Sequence, residues 1–273
     1  MFPGAGVDRE DAAFVVVGAP LDASTSFQPG ARFGPDRVRR YARGFDDYDE
    51  ATGTHFSDCA VADHGDVRAW DDAGEYLEYL EGVCTDVVWD DAVPLVVGGE
   101  HTVSVAGVRA VDPDVFVCLD AHLDLKAAFD GNELSHATVT RHALDVADRA
   151  VVLGARAGSE AEYERASERD VEVVPPEAVP AWEPSFDADA SVYLSVDVDA
   201  ADPAFAPGTG TPEPFGLTSR ECHEAVRAVA ATGRVRGFDV VEVNDRDDGQ
   251  AAVLGAKLLR AFVHEAALAA QDV

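Results

Sequence analysis

Six residues that could bind metal stand in three short motifs, each at the end of an apolar run. Asp120-Ala-His122-Leu-Asp124 follows VFVCL (115–119), Asp197-Val-Asp199 follows SVYLSV (191–196), and Gly98-Gly99-Glu100-His101-Thr102 closes PLVVGG (94–99). In extended chain, side chains at i, i+2 and i+4 share a face. The first motif would therefore converge three donors and the second two carboxylates. Each motif also has a plainer reading: a polar turn containing a His, a solvated strand end in an Asp-rich chain, and a structural His after glycines that permit a tight strand-to-helix turn. Gly18 and Gly98-Gly99 make neither G-x-G-x-x-G nor a P-loop, so nucleotide binding is not indicated. Taken together the motifs are more specific, because they supply four carboxylates and two imidazoles. Burying so many carboxylates side by side is costly unless a cation compensates. An oxygen-rich set with some nitrogen suits Mn²⁺ better than a thiolate zinc site. With shared carboxylates, six ligands suffice for two ions roughly 3.5–4 Å apart, the usual arrangement for activating one water.

The elements that must position these motifs read as alternating strands and helices. Near-continuous apolar runs at 14–20, 94–99, 115–119, 150–154, 171–174, 191–196 and 237–243 suit strands buried on both faces of a parallel sheet. Helical spacing links Leu77, Leu80, Cys84, Val87 and Val88 within 73–89, and Leu254, Leu258 and Phe262 within 251–265. The pattern predicts one α/β domain over 1–273, a doubly wound, mostly parallel sheet in three α/β/α layers. Ligands of such a fold bind beyond the carboxyl ends of the strands, where the three motifs fall.

Composition narrows the partners. The net charge is -31, from 52 acidic and 21 basic residues, and the only lysines are Lys126 and Lys257. That field repels nucleic acid and anionic lipid. It would also attract a cationic substrate, but the acidic residues run along the whole chain rather than in one patch. Adaptation of the entire surface to a salty cytoplasm is the preferred reading. No apolar run reaches the roughly 18 residues of a membrane helix, and the start carries no secretory signal pattern, so a cytoplasmic protein is expected. Cys59, Cys84, Cys118 and Cys222 form no C-x-x-C pair and read as buried free thiols.

The sequence resembles the ureohydrolase (arginase/agmatinase) family over nearly its full length, and most of all its archaeal agmatinases. GGEHT, DAHLD and SVDVDAADPAFAPGTGTPEPFGLT carry the resemblance, with GAPLDASTSFQPGARFGPDRVR early and DVVEVN late. The resemblance implies an arginase-like fold with two Mn²⁺ per subunit. One ion would sit on His101, Asp120, Asp124 and Asp197. The other would sit on His122, Asp120, Asp197 and Asp199, with Asp120 and Asp197 bridging. It implies His136, in Ser135-His136-Ala137-Thr138, as a proton shuttle, a role that needs titration near neutrality; the alternative is a helix cap by Ser135 with an incidental His. It implies Glu242 as the carboxylate that binds a small cationic guanidino substrate, and Asp124 as the acceptor that steadies the attacking water. Homotrimers or homohexamers are expected on the same ground.

The implied reaction is hydrolysis of agmatine to putrescine and urea. GARAGSEAEYE (154–164) resembles the agmatinase segment and lacks the acidic D-V-D-P-like piece of arginases. Arginase, guanidinobutyrase, guanidinopropionase and formimidoylglutamase activities remain open. A mononuclear zinc deacetylase of the related fold predicts a reduced ligand set, and a silent scaffold predicts a lost ligand, His136 or Glu242. All of these positions are filled. His55, His64, His142, His223 and His264 match no catalytic position and read as surface or structural.

Overall fold

The computed structural model describes residues 1–271. In chain order its elements are β1 (Phe14–Ala19), α1 (Gly34–Ala42), β2 (Tyr48–Asp49), β3 (Thr54–His55), β4 (Val61–Asp66), α2 (Ala73–Trp89), β5 (Val93–Gly98), α3 (Ser104–Val111), β6 (Val115–Leu119), α4 (Val139–Ala143), β7 (Arg149–Leu153), α5 (Glu160–Ala166), β8 (Val171–Val174), β9 (Val192–Asp197), α6 (Ser219–Ala230), β10 (Val235–Val241) and α7 (Gln250–Ala269). Eight strands make one sheet in the order β4-β1-β5-β10-β9-β6-β7-β8, while β2 and β3 form a separate antiparallel pair. Every pairing in the large sheet is parallel. All seven apolar runs are strands, with ends shifted by no more than two residues.

Helices cover both faces, giving the arginase-like three-layer α/β fold. One face packs Val16, Val97, Leu119, Leu194 and Phe238 against α1, α6 and α7. The Phe238 ring stacks on Phe262 of α7 with centroids 4.4 Å apart. The other face packs under α2 to α5. Because most strands are buried on both sides, alternation disappears and the continuous apolar runs follow.

Helix α2 shows the local logic. The Asp72 carboxylate accepts the Glu75 N–H at 2.9 Å and caps the first turn. Leu77, Leu80, Cys84 and Val87 then recur every three or four residues and are all fully buried. Burial of each such leucine stabilises by about 1.5–3 kcal/mol. The helix stops before Asp91, whose φ of 56° leaves the helical region. The four cysteines are free and buried, as expected. Among the described residues, no helix is long and apolar enough to cross a membrane.

Candidate metal centre and active site

The four central strands, β5, β10, β9 and β6, are neighbours in the sheet, and each delivers part of the site from its carboxyl end. His101 follows β5, Glu242 follows β10, Asp197 ends β9 with Asp199 just after it, and Asp120, His122 and Asp124 follow β6. His101, Asp120, Asp124, Asp197, Asp199 and Glu242 are all buried, while His122 is partly exposed.

The six donors meet. His101 Nδ1 lies 3.2 Å from Asp120 Oδ2, 2.9 Å from Asp124 Oδ2 and 3.7 Å from Asp197 Oδ2. His122 Nδ1 lies 3.1 Å from Asp199 Oδ2 and 3.5 Å from Asp120 Oδ1. Asp120 thus turns one oxygen to each histidine. Asp197 Oδ1 accepts the Asp199 N–H at 2.8 Å, which leaves Oδ2 for the His101 side. Asp199 is steadied by the Ala121 N–H and the Thr211 hydroxyl, each at 3.1 Å.

Two expectations about how these side chains converge are corrected. Asp120, His122 and Asp124 do not share the face of an extended strand, because β6 ends at Leu119 and Asp124 adopts φ 50°. Asp197 and Asp199 are likewise not successive positions of one strand, since Val198–Ala200 is a 3-10 turn capped by the Asp197 carboxylate. The glycines before His101 serve close approach rather than a left-handed turn, as neither has positive φ. A Cβ on Gly99 would stand 1.8 Å from the Leu21 carbonyl oxygen. Asp124 and Glu242 (φ 62°) do sit in the left-handed region, a strain that clusters at functional sites.

Charge at the cluster is unbalanced by protein alone. Burial and the neighbouring Asp120 charge push the Asp124 carboxyl up to about 7. Burial and repulsion from Asp199 and Asp120 push Asp197 well above the usual carboxylate range. Burial would lower His122, but Asp199 and Asp120 overrule it and push the imidazole up to about 12. Burial opposes ionisation of Asp120 too, yet the two histidines hold it below its ordinary value. Four carboxylates facing two imidazoles in one buried site fit a pair of divalent cations, which the donor chemistry accepts. His101, Cys118 and Asp120 also lie close enough to form a three-donor group. Cys118 Sγ, however, approaches Nε2 of His101 at 3.7 Å, the nitrogen turned away from the carboxylates. Burial raises that thiol far above its ordinary value, so it stays protonated.

His136 and Glu242 border the cluster. Glu242 Oε1 accepts the His101 N–H at 2.8 Å, and Oε2 faces Gly210. His136 Nε2 lies 3.0 Å from Ser26 Oγ, and the His136 backbone N–H donates to Ser24 Oγ at 2.9 Å. Ser135 does cap the turn that His136 opens, so the capping reading and a place beside the site hold together. Burial lowers His136 below the usual imidazole value, which favours the neutral ring. Other residues of the site were not found in the sequence. Buried Glu100 accepts from the Ser24 N–H and hydroxyl at 2.6 and 2.8 Å, tying the 20–30 loop to β5. Arg156 donates only to carbonyls, those of Gly154, Asp199, Ala200, Ala201, Glu213 and Pro214, at 2.7–3.4 Å. It thereby staples the Asp199 turn to the 211–216 loop, where Glu213 stands 4.0 Å from His122 Nε2. An arginine in a glycine-rich loop gives no spacing signal for such a role.

Fold and cluster define a class: a three-layer α/β hydrolase built around buried carboxylates and imidazoles at the central strand ends. The chain belongs to the arginase family, whose model matches residues 12–264. It is 33% identical to an agmatinase of Pyrococcus horikoshii over 93% of this chain and 92% of that protein. It is also 33% identical to an N(1)-aminopropylagmatine ureohydrolase of Thermococcus kodakarensis, over 93% and 90% respectively. The structure of agmatine ureohydrolase from Thermoplasma volcanium superposes with a TM-score of 0.93 at 31% identity, covering 99% of this chain and 95% of that one.

Proposed function

We propose that the chain, acting as one unit over 1–273, hydrolyses agmatine to putrescine and urea at a centre of two Mn²⁺. His101, Asp120, Asp124 and Asp197 would hold one ion, and His122, Asp120, Asp197 and Asp199 the other. The observation that carries the reading is Glu242. A buried carboxylate, anchored through one oxygen by the His101 N–H, adjoins six metal-type donors, where a planar guanidinium can pair with it. The named relatives act on agmatine or an aminopropyl derivative of it. Three basic groups in the surrounding loops are engaged: Arg156 with carbonyls, Lys126 with Glu162 at 2.7 Å and Arg32 with Asp22 at 3.1 Å. That arrangement suits agmatine, which has no carboxylate, better than arginine. Trimers or hexamers remain the expected assembly.

The metal pair, when bound, supplies Lewis acidity and lowers the pKa of a water. The protein does the rest. Glu242 orients the guanidinium so that its carbon faces that water. Asp124 accepts a hydrogen bond from the water and fixes its direction of attack. The C–O bond forms, and the bond from the guanidino carbon to the chain nitrogen breaks. His136, neutral at working pH, takes up a proton released in the attack and returns it to the leaving amine. Ser26 holds its ring for both transfers.

Urea release from agmatine, arginine, 4-guanidinobutyrate and formimidoylglutamate in Mn²⁺ tests the reading. Agmatine should give the highest kcat/KM. Preference for either amino-acid substrate would overturn the substrate assignment, and activity with one metal per chain would overturn the two-metal centre.

A further inference from the structure

Behind His101, on the side away from the carboxylates, lies a buried polar chain that the reaction does not use. Ser195 and Tyr193 stand two residues apart on β9 and so share a face. Asp239 of β10 pairs in register with Ser195. All three side chains, and Ser104 beside them, are fully buried. Ser195 Oγ donates to Asp239 Oδ1 at 2.6 Å, and Tyr193 Oη donates to Asp239 Oδ2 at 2.9 Å. Ser195 Oγ also lies 3.1 Å from His101 Nε2, with Ser104 Oγ at 3.5 Å. Room for the phenol is built in, because a Cβ on Gly107 of α3 would stand 2.0 Å from Tyr193 Oη.

The hydrogen count decides the histidine's tautomer. A serine hydroxyl carries one proton, and here it goes to the carboxylate. Towards His101, Ser195 is then an acceptor, so the imidazole must donate from Nε2. The proton on Nε2 leaves Nδ1 with its lone pair, and Nδ1 is the nitrogen facing Asp120, Asp124 and Asp197. Ligating histidines are generally fixed in this way by a partner on the far nitrogen. In this chain the partner is a hydroxyl, itself locked by a carboxylate one layer further out.

We propose that Asp239 is a positioning residue for the first metal position. By taking the Ser195 proton it holds His101 in the Nε2–H form, with Nδ1 presented to the cation. The proposal rests on His101 being a metal ligand, as argued above. It makes Asp239 specific to one half of the centre, since among the described residues the His122 ring faces Asp120, Asp199 and Glu213 and no hydrogen bond ties it to this chain.

Asp239→Asn tests it with little change of shape. The amide must turn its NH₂ to Ser195 or to Tyr193. Turned to Ser195, it donates there and frees the serine proton to point at Nε2, which favours the wrong tautomer. We expect one of the two Mn²⁺ dissociation constants, measured by equilibrium dialysis, to rise about 10–100-fold, with the other unchanged. The low-temperature EPR spectrum at limiting Mn²⁺ should shift from a coupled pair to a single-ion pattern. Ser195→Ala should weaken the same ion, and the double variant should be no weaker than the weaker single one, because both act along one path. Tyr193→Phe leaves the Ser195 link intact and should change metal affinity little. Melting in chelator separates any general loss of fold, and Ser195→Ala carries the test if Asp239→Asn does not fold. Equal weakening of both ions, unchanged affinity in Asp239→Asn and Ser195→Ala alike, or additive losses in the double variant would each overturn the role of Asp239. A wild-type chain that binds no pair of Mn²⁺ would instead remove the reading on which it rests.

Discussion

His136 is the residue where burial and chemistry pull in opposite directions. Burial lowers its pKa, although the Glu100 carboxylate works against that shift. A neutral imidazole can accept a proton but cannot start as the acid, so the histidine must be loaded during the attack before it can serve the leaving amine. Its ring is placed by Ser26 and its backbone by Ser24, neither of which is among the proposed metal ligands. His136→Ala should therefore keep both metals while kcat falls by roughly 10²–10⁴-fold. Metal analysis and steady-state assays from pH 7 to 10 check this; wild-type turnover across that range would remove His136 as the shuttle. The neighbouring carboxylates would respond differently. Asp124 and Asp197 are raised by burial and by repulsion from neighbouring carboxylates, Asp120 on Asp124 and Asp199 with Asp120 on Asp197, so they would depend on bound cations for their charge in a way that His136 would not.

Between elements, the clearest electrostatic tie joins α1 to β4, the edge strand. Arg39 donates from Nε and Nη2 to the two oxygens of Asp63, each at 2.9 Å, and from Nη1 to Asp66. The side chains of Arg39 and Asp63 are 9% and 1% exposed, so removing Arg39 takes the bidentate partner from a buried carboxylate and leaves it the backbone N–H groups of Phe2 and Gly65 and the N-terminal ammonium 3.8 Å away. Arg39→Met should cost about 3–5 kcal/mol at pH 7. Burial opposes the Asp63 charge, but the guanidinium wins and holds the carboxyl below its ordinary value. The folded pKa is therefore below the unfolded value of about 3.9. The stabilisation is complete above that unfolded value and is lost as pH falls through the folded one. Melting curves from pH 3 to 7 should show a wide gap between wild type and Arg39→Met at neutrality, closing below pH 4. Equal melting temperatures at pH 7 would show that the pair does not hold β4. This edge was not legible in the sequence. VADHGD, with its outer half polar, lacks the continuous apolar signature of the central strands. Helix α3 was hidden by its small residues, with Gly107 fitted against Tyr193. Helix α6 was missed despite a capping box, in which Thr218 and Glu221 each accept the other's backbone N–H. The clustered carboxylates and imidazoles were legible because Asp and His rarely follow apolar runs three times over. Their supports were not, because Ser195, Asp239 and Arg156 have no spacing that separates them from ordinary strand and loop residues.

For the whole molecule, the charge of -31 sets the conditions under which all of this can be measured. Mutual repulsion of that size acts against the folded state, and salt shortens its reach from about 10 Å at 0.1 M to about 3 Å at 1 M. The same field would draw in a cationic guanidino substrate, most strongly at low salt. The two effects predict opposite trends. Repulsion makes the melting temperature, and with it activity, rise with salt. Attraction makes KM for agmatine worsen as salt is added. The acidic residues are spread along the chain rather than gathered around the central strand ends, so repulsion should dominate. Across a KCl series from 0.1 to several molar, we expect the melting temperature to climb and kcat to follow the folded fraction. KM should change only a few-fold. A flat melting temperature with a steeply worsening KM would mean that the acidic surface is a steering device for its substrate rather than an adaptation of the whole surface to salt.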